Sequence, residues 1–239
     1  MVRRYHAKEY WEQRLRAHFD LTGVGHISFG GSYNRWLYRR KRACIASYFG
    51  RGSLKGKDVL DVGCGTGFFV DWYLRRGAHV SGIDITEVSV GNLSQRYPGD
   101  FRVLDITAAD YQPTRKFDVV NMWDVIYHVV EHESFERALT NIAASLKTDG
   151  LFLFTDWFAR ADDAKVADHV QARGLATYMR LLPKRGFDLV EVRPLYLTLN
   201  RRHFGDIDEH LGWLYFAVDC LFARATPDNV SLGIWRYRG

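Results

Sequence analysis

The pattern of hydrophobic and polar positions changes near Lys57. Before that point the chain has helical periodicity, and over residues 33–49 apolar and basic positions fall on different sides of one helix. The apolar side holds Trp36, Leu37, Cys44 and Tyr48, and the basic side holds Arg35, Arg39 and Arg42. We therefore predict an N-terminal helical cap over residues 1–50.

From Lys57 onward, short apolar runs alternate with helical stretches. The runs predict strands at 58–62, 78–84, 101–104, 117–123 and 150–157. Helical stretches at 68–76, 88–97 and 134–146 lie between them and predict right-handed crossovers between parallel strands. The fold class is therefore α/β, with a Rossmann-like, mostly parallel sheet and helices on both faces.

Two further strands are predicted at 187–197 and 230–237, with a helical insertion at about 198–228 between them. A helix over 206–223 accounts for most of this insertion. Its main apolar stripe contains Leu211, Leu214, Tyr215, Val218, Leu221 and Phe222. Trp213 and Phe216 lie off this stripe, and we expect core packing for them, with a lid or a dimer contact as alternatives. Residues 51–239 are expected to form one domain.

Composition fits a globular protein, since 47% of the 239 residues are hydrophobic and 26% are charged. No apolar run approaches the ~20 residues that span a bilayer, and the start of the chain is polar and basic. We expect a cytoplasmic protein without a membrane partner, monomeric or homodimeric. The net charge of +5 is too small to indicate a nucleic-acid partner.

A glycine-rich turn is the most informative segment. Residues 59–67 read Val-Leu-Asp-Val-Gly-Cys-Gly-Thr-Gly, a strand that runs into glycines at alternate positions and then into a helix. Glycine lets a ligand lie against the main chain, and the helix N-terminus offers free N–H donors. The spacing fits neither the dinucleotide fingerprint nor the phosphate-binding P-loop.

Acidic residues end the first three predicted strands or follow them directly, at Asp61, Asp84 and Asp105. In a parallel sheet these ends share one edge, where a carboxylate such as Asp84 can accept hydrogen bonds from ribose hydroxyls. Asp105 can accept a hydrogen bond from an adenine amino group. The three carboxylates predict a crevice for a small polar cofactor.

These motifs, in this order, resemble those of the class I S-adenosylmethionine-dependent methyltransferases, especially the group that modifies small molecules and sugars. The similar segments are 61–67, 82–84, 105–106, 117–129 and 146–151. The resemblance implies a seven-stranded sheet whose last strand is antiparallel, with S-adenosylmethionine as cofactor. It implies cofactor-binding roles for Asp61, Gly63, Gly65, Asp84, Ile85, Asp105, Ile106 and Trp123.

The expected reaction is methyl transfer to a hydroxyl or carboxyl oxygen of a small metabolite or sugar. An oxygen acceptor of high pKa benefits from a general base, and His128 follows the fourth strand, with Tyr127 beside it. Three alternatives stay open: a small-molecule N-methyltransferase, a cofactor-binding or partner protein without catalysis, and a Rossmann oxidoreductase.

The acceptor is expected to meet residues from the cap and the later loops. The candidates for substrate binding are Tyr33, Arg35, Trp157, Arg201 and His203. The arginine stripe, together with Tyr33 and Tyr38, is also placed to close over the cofactor or to hold an acidic acceptor. The chain lacks the Asn/Asp-Pro-Pro-Tyr/Phe loop and the Pro-Cys nucleophile of nucleic-acid methyltransferases, which argues against such an acceptor.

We expect no metal in the reaction, although two features suggest one. His128, Glu131 and His132 match the inverted zinc-protease pattern H-x-x-E-H. The motif follows a strand of the cofactor-binding sheet, so zinc hydrolysis is the weaker interpretation. Asp156 would suit a divalent metal beside a catechol-like acceptor, but a full ligand set is not visible in the sequence.

Overall fold

Seven strands lie where the apolar runs predict them in the computed structural model, which describes residues 5–50 and 54–239. The nine strands of this part of the chain are β1 (Asp58–Val62), β2 (His79–Asp84), β3 (Asp100–Val103), β4 (Phe117–Met122), β5 (Leu146–Asp156), β6 (Ala164–Ala167), β7 (Val170–Ala172), β8 (Phe187–Pro194) and β9 (Ser231–Tyr237). Strands β6 and β7 form a separate antiparallel hairpin. The other seven form one sheet.

The order of strands in the large sheet is β3-β2-β1-β4-β5-β9-β8. The first five run parallel to one another, whereas β9 runs antiparallel to both β5 and β8. The predicted fold class is therefore confirmed, including the antiparallel last strand. Parallel pairing brings the carboxyl ends of β1, β2, β4 and β5 to one edge of the sheet, which we call the carboxyl edge.

Helices cover both faces of the sheet. They are α1 (Ala7–Ala17), α2 (Leu21–Val24), α3 (Gly31–Phe49), α4 (Phe68–Leu74), α5 (Glu87–Arg96), α6 (His132–Ser145), α7 (Leu175–Leu181) and α8 (Asp208–Phe222). Alternate residues of a strand point to opposite faces, so Val119 packs into the core under α3 and α4 while Val120 packs into the core under α6.

A buried ion pair ties α3 to the end of β4. Lys41 Nζ donates to Asp124 Oδ2, and the Lys41 ammonium lies 4.0 Å from the centre of the Tyr38 ring. Thr155 Oγ1 donates a second hydrogen bond to Asp124, at 3.0 Å. Burial alone would raise the pKa of Asp124, but the Lys41 ammonium and these hydrogen bonds hold it below its ordinary value.

Helix α8 confirms the expectation of core packing only in part, because Phe216 packs against the core whereas Trp213 is exposed. Its buried residues are Asp208, Gly212, Tyr215 and Asp219, while Trp213, Leu214, Leu221 and Phe222 are exposed. Both buried carboxylates accept several hydrogen bonds from residues 197–204 or from Tyr215. The predicted stripe is therefore buried only in part: Leu211 and Tyr215 pack in or on the core, whereas Leu214, Leu221 and Phe222 are exposed because these polar anchors set the rotation of the helix.

The sequence patterns also missed the hairpin β6–β7 and helix α7. The hairpin strands have four and three residues, and β6 carries the exposed Lys165 and Val166, so no buried alternation marks it. The predicted boundary between residues 50 and 51 adjoins residues 51–53, which lie outside the described residues. Within residues 5–50 and 54–239, no helix is both long and apolar enough to cross a membrane.

We expect Lys41→Met to lower the free energy of unfolding by about 3 kcal/mol at pH 7, because it leaves the Asp124 carboxylate buried without its cation. A depressed carboxyl pKa stabilises the fold above the unfolded pKa and loses that effect as pH falls through the folded pKa. In the variant the Asp124 pKa rises, so the deficit shrinks toward pH 4. Urea unfolding of the wild type and of Lys41→Met from pH 7 to pH 4 measures this deficit.

The double variant Lys41→Met/Asp124→Asn is the matched control. Asp124 has φ +56°, which asparagine tolerates, and the amide removes the unpaired charge. The double variant should recover more than half of the lost free energy of unfolding. A single variant as stable as the wild type at pH 7 would contradict the role of the ion pair.

Candidate active site

A cavity of about 290 Å³ opens at the carboxyl edge of the sheet. Its walls come from the ends of β1, β2 and β4 and from helices α1, α2 and α3. All eight positions expected to bind cofactor lie on these walls: Asp61, Gly63, Gly65, Asp84, Ile85, Asp105, Ile106 and Trp123. The structure therefore brings together residues that lie as many as 62 positions apart in the sequence.

The turn after β1 needs glycine for two reasons. Gly63 and Gly65 have φ of +69° and +49°, a region that side chains with a Cβ rarely adopt. A Cβ on Gly63 would lie 2.3 Å from Val125 Cγ2, and one on Gly65 would lie 2.9 Å from Val24 Cγ1. The bare backbone thus forms part of the cavity wall, as binding of a ligand along the main chain requires.

Asp84 fixes this turn and still has capacity for a ligand. Its Oδ2 accepts from Gly65 N at 2.9 Å, and its Oδ1 accepts from Thr86 N at 2.9 Å and Thr86 Oγ1 at 2.7 Å. Burial raises its pKa, although these bonds oppose the rise. A carboxylate offers about four acceptor positions, so Oδ2 can accept another hydrogen bond, such as one from a ribose hydroxyl.

A buried polar network supports Asp61. Asn121 Nδ2 donates to Asp61 Oδ1 at 2.6 Å, and Asn121 Oδ1 accepts from Trp123 Nε1 at 2.7 Å. The Trp123 ring stacks on Phe69, with the ring centres 4.6 Å apart. Burial raises the pKa of Asp61 to about 7. The network fixes the ring and the carboxyl group that form this part of the wall.

The third strand end supplies a more open part of the wall. Asp105 is exposed, and its Oδ1 accepts from Thr107 N at 2.8 Å. Ile106 is buried beneath it, and Ile85 is half-buried on the neighbouring strand end. An accessible carboxylate beside two apolar side chains fits an adenine ring with its amino group, as the resemblance implies.

His128 also lines the cavity, in a short 3₁₀ helix (Ile126–His128). Its Nδ1 is 2.7 Å from the backbone oxygen of His169, in the turn of the hairpin β6–β7. Its ring stacks on the His169 ring at 5.5 Å and meets the Trp11 ring edge-on at 5.0 Å. Burial lowers the pKa of His128 to about 4, so the imidazole is neutral at pH 7.

Tyr127 is not among the cavity-lining residues. It lies beside Asp124, with which it shares a hydrogen bond, and its ring meets Trp157 edge-on at 5.0 Å. Burial raises its pKa well above the ordinary value. Asp124 itself lines the cavity, so Tyr127 contacts a residue of the site rather than the space inside it.

The five positions expected to bind substrate do not line this cavity. Tyr33 is buried and donates to the Arg201 backbone oxygen at 3.0 Å. Arg35 and His203 are exposed, while Trp157 and the Arg201 side chain are half-buried. Four of the five lie on α3 or in the segment that precedes α8, in the region where these two helices pack together. They do not lie at the carboxyl ends of the central strands. Tyr38, in contrast, lies on the cavity wall.

Several wall residues escaped the sequence analysis. From the N-terminal segment the cavity receives Tyr5, Ala7, Trp11, Leu15 and Val24. Helix α1 is otherwise polar, and Leu15 is its only buried residue, so the aromatic residues at 5, 10 and 11 were the one available signal. The contact between His128 and His169 joins residues 41 positions apart and leaves no local pattern.

The two features that suggested a metal have other partners. His132 begins α6, is exposed and pairs with Glu136 at 3.1 Å, so it does not share a helix face with His128. Asp156 is buried and accepts from Tyr178 Oη, Trp157 N and Arg173 N, and burial raises its pKa to about 7. Among residues 5–50 and 54–239, no group of three potential ligands is close enough to hold a metal ion.

The chain is similar in sequence and in fold to known methyltransferases. The profile of a family described as a methyltransferase domain matches residues 33–192, more than half of the chain. A ubiquinone biosynthesis O-methyltransferase of Marinobacter nauticus is 32% identical over 190 residues, covering 76% of this chain and 77% of that protein. A protein of the same name from Hahella chejuensis is 39% identical over 98 residues, and the match spans 41% of its length.

Two solved structures superpose on most of the chain. An N-methyltransferase of Bradyrhizobium japonicum, in complex with S-adenosyl-L-homocysteine, has a TM-score of 0.61 at 15% identity and covers 96% of this chain and 100% of its own. Magnesium protoporphyrin IX methyltransferase of Synechocystis, also with bound S-adenosyl-L-homocysteine, has a TM-score of 0.64 at 17% identity and covers 96% and 97%. At these identities the similarity shows the fold.

The family match and the O-methyltransferase relatives support the expected transfer to an oxygen atom of a small metabolite. They also fit the residues on the wall, since the glycine turn, Asp84 and Asp105 suit the cofactor of this family. The chain therefore belongs to the methyltransferase domain family and is an S-adenosylmethionine-dependent methyltransferase.

Proposed function

We propose that the chain methylates a hydroxyl group on a planar aromatic metabolite, with His128 as the general base. The observation that carries the proposal is the hydrogen bond between His128 Nδ1 and the His169 backbone oxygen. A carbonyl oxygen only accepts, so Nδ1 carries the hydrogen and Nε2 keeps its lone pair. A base of this kind is what a hydroxyl acceptor needs and what an already nucleophilic amine can do without.

The imidazole of His128 is available as a base at neutral pH. With a pKa of about 4, the imidazole is unprotonated over the whole physiological range and needs no prior loss of a proton. A phenol-type hydroxyl has a pKa near 10, so the proton moves to Nε2 as the oxygen attacks rather than before. The Trp11 and His169 rings pack against the imidazole and limit its rotation.

The cavity walls favour a planar acceptor. They carry six aromatic side chains: Tyr5, Trp11, Tyr38, Phe68, Phe69 and Trp123. Flat apolar surfaces of this kind bind rings by stacking and by edge-to-face contact, whereas a polyhydroxylated sugar needs many hydrogen-bond partners. The relatives named for ubiquinone biosynthesis, a pathway to a quinone ring, are consistent with such an acceptor.

S-adenosylmethionine, when bound, supplies an electrophilic methyl group. We propose that Asp84 binds its ribose, that Asp105 and Ile106 hold its adenine, and that the Gly63–Gly65 backbone accommodates the rest. Asp61 and Trp123 would complete the cofactor-binding part of the wall, and Trp11 and His128 would hold the acceptor. Tyr127 acts on this arrangement through Asp124, as a positioning residue.

Replacement of His128 tests the base directly. We expect His128→Asn to lower kcat about 100-fold or more at pH 7, with unchanged affinity for S-adenosylhomocysteine, because asparagine offers an N–H to His169 but no base. The wild-type rate on a phenol should be flat from pH 8 down to about pH 5 and fall toward pH 4, as His128 gains its proton. The variant's rate should rise with pH as the phenol ionises.

Methyl transfer from labelled cofactor, followed from pH 4 to pH 10, measures both profiles. A panel of phenols, catechols, carboxylic acids, sugars and amines supplies the acceptors. Equal turnover by the wild type and His128→Asn would refute the general base, and turnover of amines alone would replace the proposed reaction by N-methylation.

Removal of the Trp11 ring tests the acceptor side. Trp11→Ala should raise KM for a phenolic acceptor about tenfold and also lower kcat, because the ring contacts both the acceptor and the His128 imidazole, while cofactor affinity stays within twofold. Trp157→Ala is the matched control, since this half-buried indole lies outside the cavity lining. Steady-state kinetics with each substrate varied give the comparison. Equal effects of the two replacements on KM would contradict the placement.

A further inference from the structure

Large apolar side chains concentrate on the outer surface of the insertion between β8 and β9. Eleven large hydrophobic residues are exposed in the described part of the chain, and six of them lie between residues 204 and 222. They are Phe204, Ile207, Trp213, Leu214, Leu221 and Phe222, and we call this set the α8 surface. Leu221, Phe222 and Trp213 are 76%, 64% and 56% exposed.

Hydrogen bonds on the buried side of α8 keep the α8 surface exposed to solvent. Asp219 Oδ1 accepts from Leu197 N at 3.0 Å and Thr198 N at 2.7 Å, and its Oδ2 accepts from Leu199 N at 3.0 Å. Asp208 accepts from Tyr215 Oη at 2.6 Å, among other donors. A rotation that buried the apolar residues would break these charge-assisted bonds and expose two anchored carboxylates. The exposure is therefore built into the fold.

The outer face of α8 carries no charged residue. The charged residues of the helix are Asp208, Glu209 and Asp219; two are buried, and Glu209 accepts from Gly30 N. Trp, Leu and Phe on an uncharged, exposed helix face are the apolar half of a bilayer-binding segment, whose basic half must here come from a neighbouring element.

Basic side chains of α3 lie directly beside the α8 surface. Trp36 packs on Phe216, with ring centres 5.5 Å apart, and the Arg39 guanidinium lies 4.3 Å from the Trp36 ring centre. Arg35 and Arg42 are exposed on the same side of α3, which has no acidic residue. Among the residues that the structure describes, none of the three arginines forms an ion pair within 4.0 Å.

The position of this region relative to the cavity is given by the strand register. Ser231, at the start of β9, pairs with Asp156 at the end of β5 and with Pro194 at the end of β8. The segment from 195 to 230 therefore leaves and re-enters the sheet at the carboxyl edge, where the cavity also opens.

We propose that the α8 surface and the arginines of α3 dock this enzyme on an anionic lipid surface. The apolar residues would enter the headgroup region, and Arg35, Arg39 and Arg42 would attract acidic headgroups. Charge selects this occupant over a second copy of the chain, because a two-fold contact through the same region would bring the two arginine stripes together. Docking would place the carboxyl edge, and with it the cavity, near the membrane.

Flotation with lipid vesicles tests the docking. The full chain should float with vesicles made of equal parts phosphatidylglycerol and phosphatidylcholine, and at least tenfold less with pure phosphatidylcholine. Salt at about 1 M should abolish most of the binding, since it screens the arginines. Arg39→Gln/Arg42→Gln should weaken partitioning about tenfold or more, as about fivefold is expected per cation near an anionic surface.

Leu221→Ser/Phe222→Ser should weaken partitioning at least tenfold while circular dichroism and cofactor affinity stay unchanged. Exposed residues elsewhere provide matched controls: Met179→Ser/Val190→Ser for the apolar pair and Lys116→Gln/Lys184→Gln for the charge. Equal flotation with both vesicle types, equal loss in the control variants, or a wild-type chain that does not float would overturn the proposal. So would a dimer in sedimentation that Leu221→Ser/Phe222→Ser dissociates, since the surface would then bind a second copy.

Discussion

The hydrogen bond from Gly65 N to Asp84 Oδ2 is the contact on which the site depends. It joins the turn after β1 to the end of β2, and so fixes a strip of bare backbone opposite a buried carboxylate. The turn can make this bond only because Gly63 and Gly65 adopt positive φ beside Val125 and Val24. Parallel pairing of β1 with β2 and β4 then adds Asp61 and Asn121 at the same edge.

Closure of the site by the N-terminal helices determines its chemistry. Trp11 and Tyr38 form part of the cavity wall and limit the access of water to the cavity. The Lys41–Asp124 pair holds α3 in place. In this drier environment His128 stays neutral, while burial raises the carboxyl pKa values of Asp61 and Asp84. The same closure restricts the acceptor to a small molecule, because the cavity measures about 290 Å³.

Prediction from the sequence succeeded where local pattern and strand order decide the structure. Apolar runs located the seven strands of the sheet, and the ends of those strands carry Asp61, Asp84 and Asp105. Prediction from the sequence failed where contacts between residues far apart in the chain decide the structure. The partner of His128 is a backbone oxygen in a hairpin too short to show alternation, and Lys41 cannot be told from its basic neighbours before α3 is packed. In α8, the hydrogen bonds of buried Asp208 and Asp219 leave three of the six residues of the predicted apolar stripe exposed.

Calorimetric titration of S-adenosylhomocysteine into the wild-type protein and into Asp84→Ala measures the contribution of this carboxylate to cofactor binding. We expect saturable binding by the wild type and at least about a 100-fold weaker affinity for the variant, because charge-assisted hydrogen bonds and the anchored turn are lost together. NAD, as the control ligand, should not bind. Equal affinity of the two proteins, or no binding by the wild type, would contradict the assignment of this cavity to the cofactor.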